Sequence, residues 1–236
     1  MESKANIVLV HGAFADGSSW SKILPLLLAD GLNGVAVQNP LTSLADDAAA
    51  TKRVIDNNQD GPVLLVGHSW GGAVITEAGN DPRVVGLVYV AAGAPDNGQS
   101  FNDWWKNYPP EAGAAEIKPY GKDGFVALTP KGVETCFVQD LPAKEARIVY
   151  AVQGPLMARC FDDKIRVAAW RSKPSTYIVA EKDRMIPPAV QRESAARMKA
   201  NTMSLASSHV PMLSQPQRVA EVIIKAAHAV MTAAAH

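Results

Sequence analysis

Cysteine is scarce in this chain. Only Cys136 and Cys160 occur among 236 residues, neither in a metal-ligand spacing nor beside a redox motif, which argues against a disulfide framework or a cysteine-bound metal. Long apolar runs are missing as well. No stretch approaches the roughly 18 apolar residues of a membrane span, and the longest, near Val84 to Ala94, holds two glycines and suits a buried strand. Neither sign of charge dominates, because 23 Lys and Arg balance 23 Asp and Glu. That balance removes the global field that draws a chain to nucleic acid or to an acidic membrane, so the expected partner is small or uncharged. No apolar signal segment with a cleavage site separates Met1-Glu2-Ser3-Lys4 from the apolar stretch Ile7 to Val10, and a cytoplasmic protein is expected. Internal repeats are absent too. Oligomeric state leaves no mark.

What is present is alternation. Strand-like and helix-like stretches follow each other as Asn6 to Val10 and Ser19 to Asp30, Gly34 to Gln38 and Leu44 to Asn58, Pro62 to Val66 and Trp70 to Asn80. Such alternation predicts βαβ units and a parallel sheet. The strands are continuous apolar runs, as in Val63-Leu64-Leu65-Val66 and Val84 to Val90, which fits a sheet covered by helices on both faces. After Ala91-Ala92-Gly93-Ala94-Pro95 the order breaks, and about 70 residues offer prolines, tryptophans and short helical patches but no core strand. An inserted cap over 96–167 is expected, its clearest helix at Pro142 to Gln153, between core segments 1–95 and 168–236. The sheet pattern resumes at Ser175 to Ala180, followed by a helix from Pro188 to Lys199, a strand from Thr202 to Ala206 and a closing helix from Gln215 to Met231. Ala233-Ala234-Ala235 reads as a tail.

The strongest chemical signal is Gly67-His68-Ser69-Trp70-Gly71-Gly72, a Gly-x-Ser-x-Gly turn between a predicted strand and a predicted helix. Alone, such a hexapeptide also fits a glycine-rich helix cap. In this context it places Ser69 on a strained turn whose neighbours must be small enough for strand and helix to approach closely. The helix starting near Trp70 turns free N–H groups and a positive dipole end toward any oxyanion formed there. Val10-His11-Gly12-Ala13-Phe14 follows the first strand directly. Its glycine permits a sharp turn, which makes the amides of Ala13 or Phe14, together with that of Trp70, the expected oxyanion donors.

A serine hydroxyl needs a base within hydrogen-bond reach. Five histidines compete, and only His209, in Ser207-Ser208-His209-Val210-Pro211, lies between the last strand and the last helix. His11 belongs to the early loop, His68 points away from its neighbour Ser69, and His228 and His236 fall in or after the final helix. The orienting acid is expected after the preceding strand, in Ala180-Glu181-Lys182-Asp183-Arg184, where Asp183 is favoured over the strand-end Glu181. Asp96, after the strand before the insert, is the rival.

With these segments in place the chain resembles the α/β-hydrolase superfamily over nearly its whole length. The nearer likeness is to the small-capped branch that holds plant methylesterases, hydroxynitrile lyases and many bacterial hydrolases. Val8-Leu9-Val10-His11-Gly12-Ala13, the Gly67–Gly72 turn and His209-Val210-Pro211-Met212-Leu213 carry it. The resemblance implies a doubly wound, mostly parallel sheet with a small helical cap inserted after the sixth family strand. It also implies a Ser69-Asp183-His209 triad, a two-amide oxyanion hole and an acyl-enzyme intermediate, with no metal or organic cofactor. Lyases of this branch carry threonine where Gly12 stands and lysine where Val210 stands, so the esterase side is favoured. Dehalogenases and epoxide hydrolases place aspartate where Ser69 stands. The expected function is cleavage of a small, largely apolar ester or lactone. Other triad chemistries (amide, thioester or carbon–carbon hydrolysis, acyl transfer, lyase chemistry) and a receptor with little turnover are the alternatives. Phe14 from the core and Trp104, Trp105, Tyr108, Met157 and Phe161 from the insert are expected pocket walls, although the same residue types serve equally as plain packing.

Overall fold

The computed structural model describes residues 5–57 and 61–234. Met1 to Lys4, the last residue of the predicted Leu44 to Asn58 helix, and the end of the tail with His236 lie outside the described residues. Nine strands occur there: β1 (Asn6–Val10), β2 (Asn33–Ala36), β3 (Val63–His68), β4 (Val84–Val90), β5 (Ile117–Tyr120), β6 (Phe125–Leu128), β7 (Leu156–Met157), β8 (Ser175–Ala180) and β9 (Asn201–Leu205). Six of them form one sheet in the order β2-β1-β3-β4-β8-β9, and every pair is parallel. β1 and β3 are buried along their whole length, as their unbroken apolar runs require. The two edge strands, β2 and β9, are short and partly exposed.

The chain runs from β1 to β2 on one side and then returns to lay β3 on the other side of β1. That reversal of winding opens a crevice at the carboxyl ends of β1 and β3, where an open α/β sheet binds its ligands. Val10 pairs with Gly67 at this end, so the loop after Val10 and the turn after His68 become neighbours. β3 extends two residues beyond the predicted strand, because Gly67 and His68 continue the ladder against Tyr89 and Val90 of β4.

Helix boundaries shift where local chemistry intervenes. The predicted Ser19 to Asp30 helix is split into a 3-10 turn, Gly17–Trp20, whose Ser18 amide is capped by Asp16, and an α-helix, Leu24–Ala29, that restarts with Pro25 in its first turn. Proline is tolerated there because the first-turn N–H groups have no helical acceptor. The helix Trp70–Ala78 stops at Gly79, and the last helix runs over Pro216–Ala234. Among the described residues no helix is long and apolar enough to cross a membrane.

The segment between β4 and β8 departs from the expected helical cap. It contains helices Phe101–Trp105 and Ala143–Val152, but also a separate antiparallel sheet, β5-β6-β7. Gly121 and Gly124, with φ of 75° and 84°, shape the turn that pairs Tyr120 with Phe125. Pro119 interrupts β5, which pairs with one neighbour only; proline is admitted to such an edge and weakens its sequence signal. A π-helical turn, Val133–Phe137, carries Phe137 toward the core.

Candidate active site

Ser69 sits between β3 and the helix Trp70–Ala78 with φ 53° and ψ −120°, a conformation that costs an L-residue roughly 1–3 kcal/mol. Its backbone is fixed from both sides. The Ser69 N–H donates to Val90 O at 3.2 Å, and Ser69 O accepts from Gly72 N and Gly93 N, each at 3.0 Å. The turn also demands close approach: a Cβ on Gly71 would stand 2.4 Å from Val10 O, and one on Gly12 would stand 2.7 Å from Ser69 Cβ. The loop after β1 therefore packs directly on the serine.

His209 lies in the loop after β9, and its Nδ1 stands 2.7 Å from Asp183 Oδ2, with both side chains buried. Asp183 is held by three further donors: Met185 N at 2.7 Å and Ile186 N at 3.0 Å on Oδ1, and Gln191 Nε2 at 2.8 Å on Oδ2. Four donors thus converge on the two oxygens of this buried carboxyl group. It fixes the Nδ1–H tautomer of His209, leaving the Nε2 lone pair to take a proton. Asp96 is engaged elsewhere, with Arg171 Nε and Nη2 at 2.6 and 2.5 Å. Glu181 pairs with Arg192 and accepts from Ser204 Oγ at 2.7 Å.

The other histidines do different work. His68 Nε2 donates to the backbone oxygen of His209 at 2.8 Å, and the two rings lie 4.8 Å apart. Burial, and then the neighbouring His209, push the His68 pKa well below the ordinary histidine value, so it clamps His209 as a neutral ring. Its Nδ1 is buried and has no hydrogen-bond partner among the described residues. His11 Nδ1 donates to Gly12 O at 2.8 Å while Nε2 accepts from Asn39 N at 3.0 Å, and burial lowers its pKa. His228 meets Asp30 at 3.1 Å on the surface.

Ser69 and His209 face one cavity of about 310 Å³. They share its wall, and among the described residues' hydrogen bonds none joins the hydroxyl directly to the ring; such links in serine–histidine pairs often tighten only around a bound molecule. Ala13 and Phe14 line the cavity beside Ser69, and Phe14 has φ 58°. Trp70 is the first residue of its helix, where N–H groups have no intrahelical acceptor. Of the predicted walls, Phe14, Trp105 and Phe161 line the cavity; Phe101, Phe137 and Met185 join them. Trp104, Tyr108 and Met157 do not. Trp104 turns into the interior and donates to Ser194 Oγ at 2.8 Å, Tyr108 bonds Glu193, and Met157 is built into β7 with its amide on Leu41 O at 2.8 Å. Among the described residues the polar lining besides Ser69 and His209 is Asn102, and no charged side chain contributes. A larger groove of about 830 Å³ runs past Lys52, Asp81, Arg159 and Arg166. It contains none of the three side chains, so its size carries no weight against their convergence.

Residues 7–222 match the family model described as the alpha/beta hydrolase family, and the chain belongs to that family. It is 26% identical to Methylesterase 1 of Arabidopsis thaliana, across 95% of this chain and 96% of that protein. To the Pyrethroid hydrolase of Sphingobium wenxiniae it is 27% identical, across 92% and 86%. The crystal structure of polyneuridine aldehyde esterase superposes with a TM-score of 0.80 at 21% identity, covering 94% of this chain and 98% of that one; this likeness bears on the fold alone.

Sequence reasoning missed the supports. Gln191, Asp140 and Asp47 carried no signal, because a glutamine mid-helix and carboxylates near helix or loop starts read as surface residues. Gln191 is buried, accepting from Ala180 N at 3.0 Å while it holds Asp183, and Asp140 accepts from Ser208 N at 2.8 Å.

Proposed function

We propose that this protein is a serine hydrolase that cleaves a small, largely apolar ester or lactone through an acyl-enzyme intermediate. His209 Nε2 takes the Ser69 proton as Oγ attacks the carbonyl carbon, and Asp183 steadies the imidazolium that forms. The oxyanion rests on the amide of Trp70 and on that of Ala13 or Phe14. His209 returns the proton to the leaving alcohol, and water, activated by the same ring, then releases the acid and frees Ser69. None of these steps calls on a metal or an organic cofactor.

The observation that carries the reading is the 2.7 Å contact of His209 Nδ1 with a buried, four-donor Asp183, on a ring that shares a cavity wall with Ser69. The aromatic lining and the lack of a charged wall residue support neutral substrates over ionic ones. The names of the relatives, methylesterase and pyrethroid hydrolase, support an ester as the bond cleaved. The test is a panel of aryl, alkyl and lactone esters run beside Ser69→Ala and His209→Gln. Turnover of neutral esters that collapses in both variants is expected. Full turnover in Ser69→Ala ends the mechanism.

A further inference from the structure

Asp47 lies in the first turn of the helix Leu44–Asn57 and is fully buried, although no catalytic step uses it. Among the described residues no cation pairs with it. Its two oxygens take two donors from different parts of the molecule: Oδ2 accepts from the Trp70 indole Nε1 at 2.8 Å, and Oδ1 accepts from the Leu41 amide at 2.7 Å. Both donors belong to strained or functional backbone. Trp70 directly follows Ser69, and its indole packs on Phe101 and Phe161 of the cavity wall at ring distances of 5.8 and 5.9 Å. Leu41 is held at φ 58°, and its carbonyl accepts the Met157 amide at 2.8 Å, which ties the loop to β7 of the inserted segment.

We propose that Asp47 is a positioning residue of the nucleophile turn: by gripping the Trp70 indole it sets the Trp70 amide that receives the oxyanion, and by gripping Leu41 it locks that turn to the inserted segment. The inference rests on the serine-hydrolase reading above. A buried carboxylate kept without a counter-cation is costly, and burial pushes Asp47 up to about 6. Asp46 on the same helix and Asp163 from the inserted segment add to the rise. Nearby Cys160 is pushed up to about 12, first by burial and then by Asp47 and Asp163, so it remains a neutral thiol. The arrangement is retained at that cost because only an acceptor on each oxygen satisfies both donors at once. An asparagine there offers one acceptor and one donor.

The test is a double-mutant cycle of Asp47→Asn and Trp70→Phe in the full chain, read with a neutral activated ester. Each variant is expected to lower kcat about tenfold with KM nearly unchanged, since displacing one oxyanion donor costs part of the roughly 10² to 10³ lost on removing it. The double variant should be no worse than about the poorer single one, because both remove the same link. Inhibition by a trifluoromethyl ketone, whose adduct with Ser69 bears an oxyanion, should weaken in parallel. Asp46→Asn, an exposed neighbour bonded to Thr42 and Ser43, should keep the parental kcat. Should Asp47→Asn fail to fold, Trp70→Phe is read alone. Unchanged kcat in folded variants, effects confined to KM, or single effects that simply multiply would overturn the proposal. Turnover surviving Ser69→Ala would instead sink the underlying hydrolase reading, so the two failures are distinguishable.

Discussion

The parallel sheet and the segment inserted between β4 and β8 treat the same cavity differently. The sheet contributes Ser69 and the loop after β1, at strand ends where close backbone approach leaves almost no freedom, and His209 from the loop after β9, held through its ring by Asp183. The insert contributes Val126 from its small hairpin, and Trp105, Phe161 and Phe137, whose rings pack against neighbouring rings. In the proposed mechanism, chemistry is thus placed where geometry is rigid, and the shape of the substrate where side chains can be exchanged at little cost to the fold.

Changes on the sheet side should therefore act on kcat and be severe, while changes on the insert should act on KM and be mild. The largest effect is expected for Ser69→Ala, a loss of about 10⁶ in kcat by the measure of similar triads. Asp183→Asn should follow at about 10⁴, because a wrong tautomer at His209 costs about that much in a serine triad. Gln191→Leu removes one of the four donors on Asp183 together with the acceptor of the Ala180 amide. It should lower kcat by about tenfold to a hundredfold and leave KM alone, and Gln191→Glu, which keeps the acceptor for Ala180 but turns a carboxylate oxygen on Asp183, should not rescue it; steady-state kinetics on folded protein checks this. On the insert, Phe161→Ala should raise KM about tenfold with kcat within about threefold. Tyr108→Phe, which loses only a contact with Glu193 outside the cavity, should change neither. A Tyr108→Phe effect as large as that of Phe161→Ala would dissolve the contrast between wall and packing.

Asp47 sharpens the contrast from the side of stability. Its pKa is raised from 3.8 to about 6, so the fold binds its proton more tightly than the unfolded chain does. The stabilising contribution is complete below about pH 4 and is lost as pH rises through 6, amounting to at most about 3 kcal/mol. Denaturant unfolding at pH 4 and pH 7 should show Asp47→Asn gaining on the parent by up to that amount at the higher pH. The comparison must be with the variant, because the lowered pKa values of His11 and His68 act in the opposite sense, removing stability as pH falls.

Legibility in the sequence follows the same division. The sheet strands, the Ser69 turn and the position of His209 are visible because continuous apolar runs and closely spaced glycines are direct consequences of buried parallel strands and a tight strand-to-helix turn. The hairpin in the insert is not, since β5 carries a proline and its alternation is weak. Trp104 and Trp105 are adjacent in sequence, yet one enters the interior and the other the cavity, a choice made by helix rotation and not by residue type. Asp47 and Asp46 likewise read as twin first-turn carboxylates. Only tertiary packing separates the buried one from the exposed one.

The central claim is tested most directly by mass spectrometry of the protein after treatment with a fluorophosphonate. The account expects a single phosphonyl adduct on the peptide that contains Ser69, absent in Ser69→Ala and formed far more slowly in His209→Gln. An active protein that remains unlabelled, or one labelled at another residue while Ser69 stays free, would contradict it.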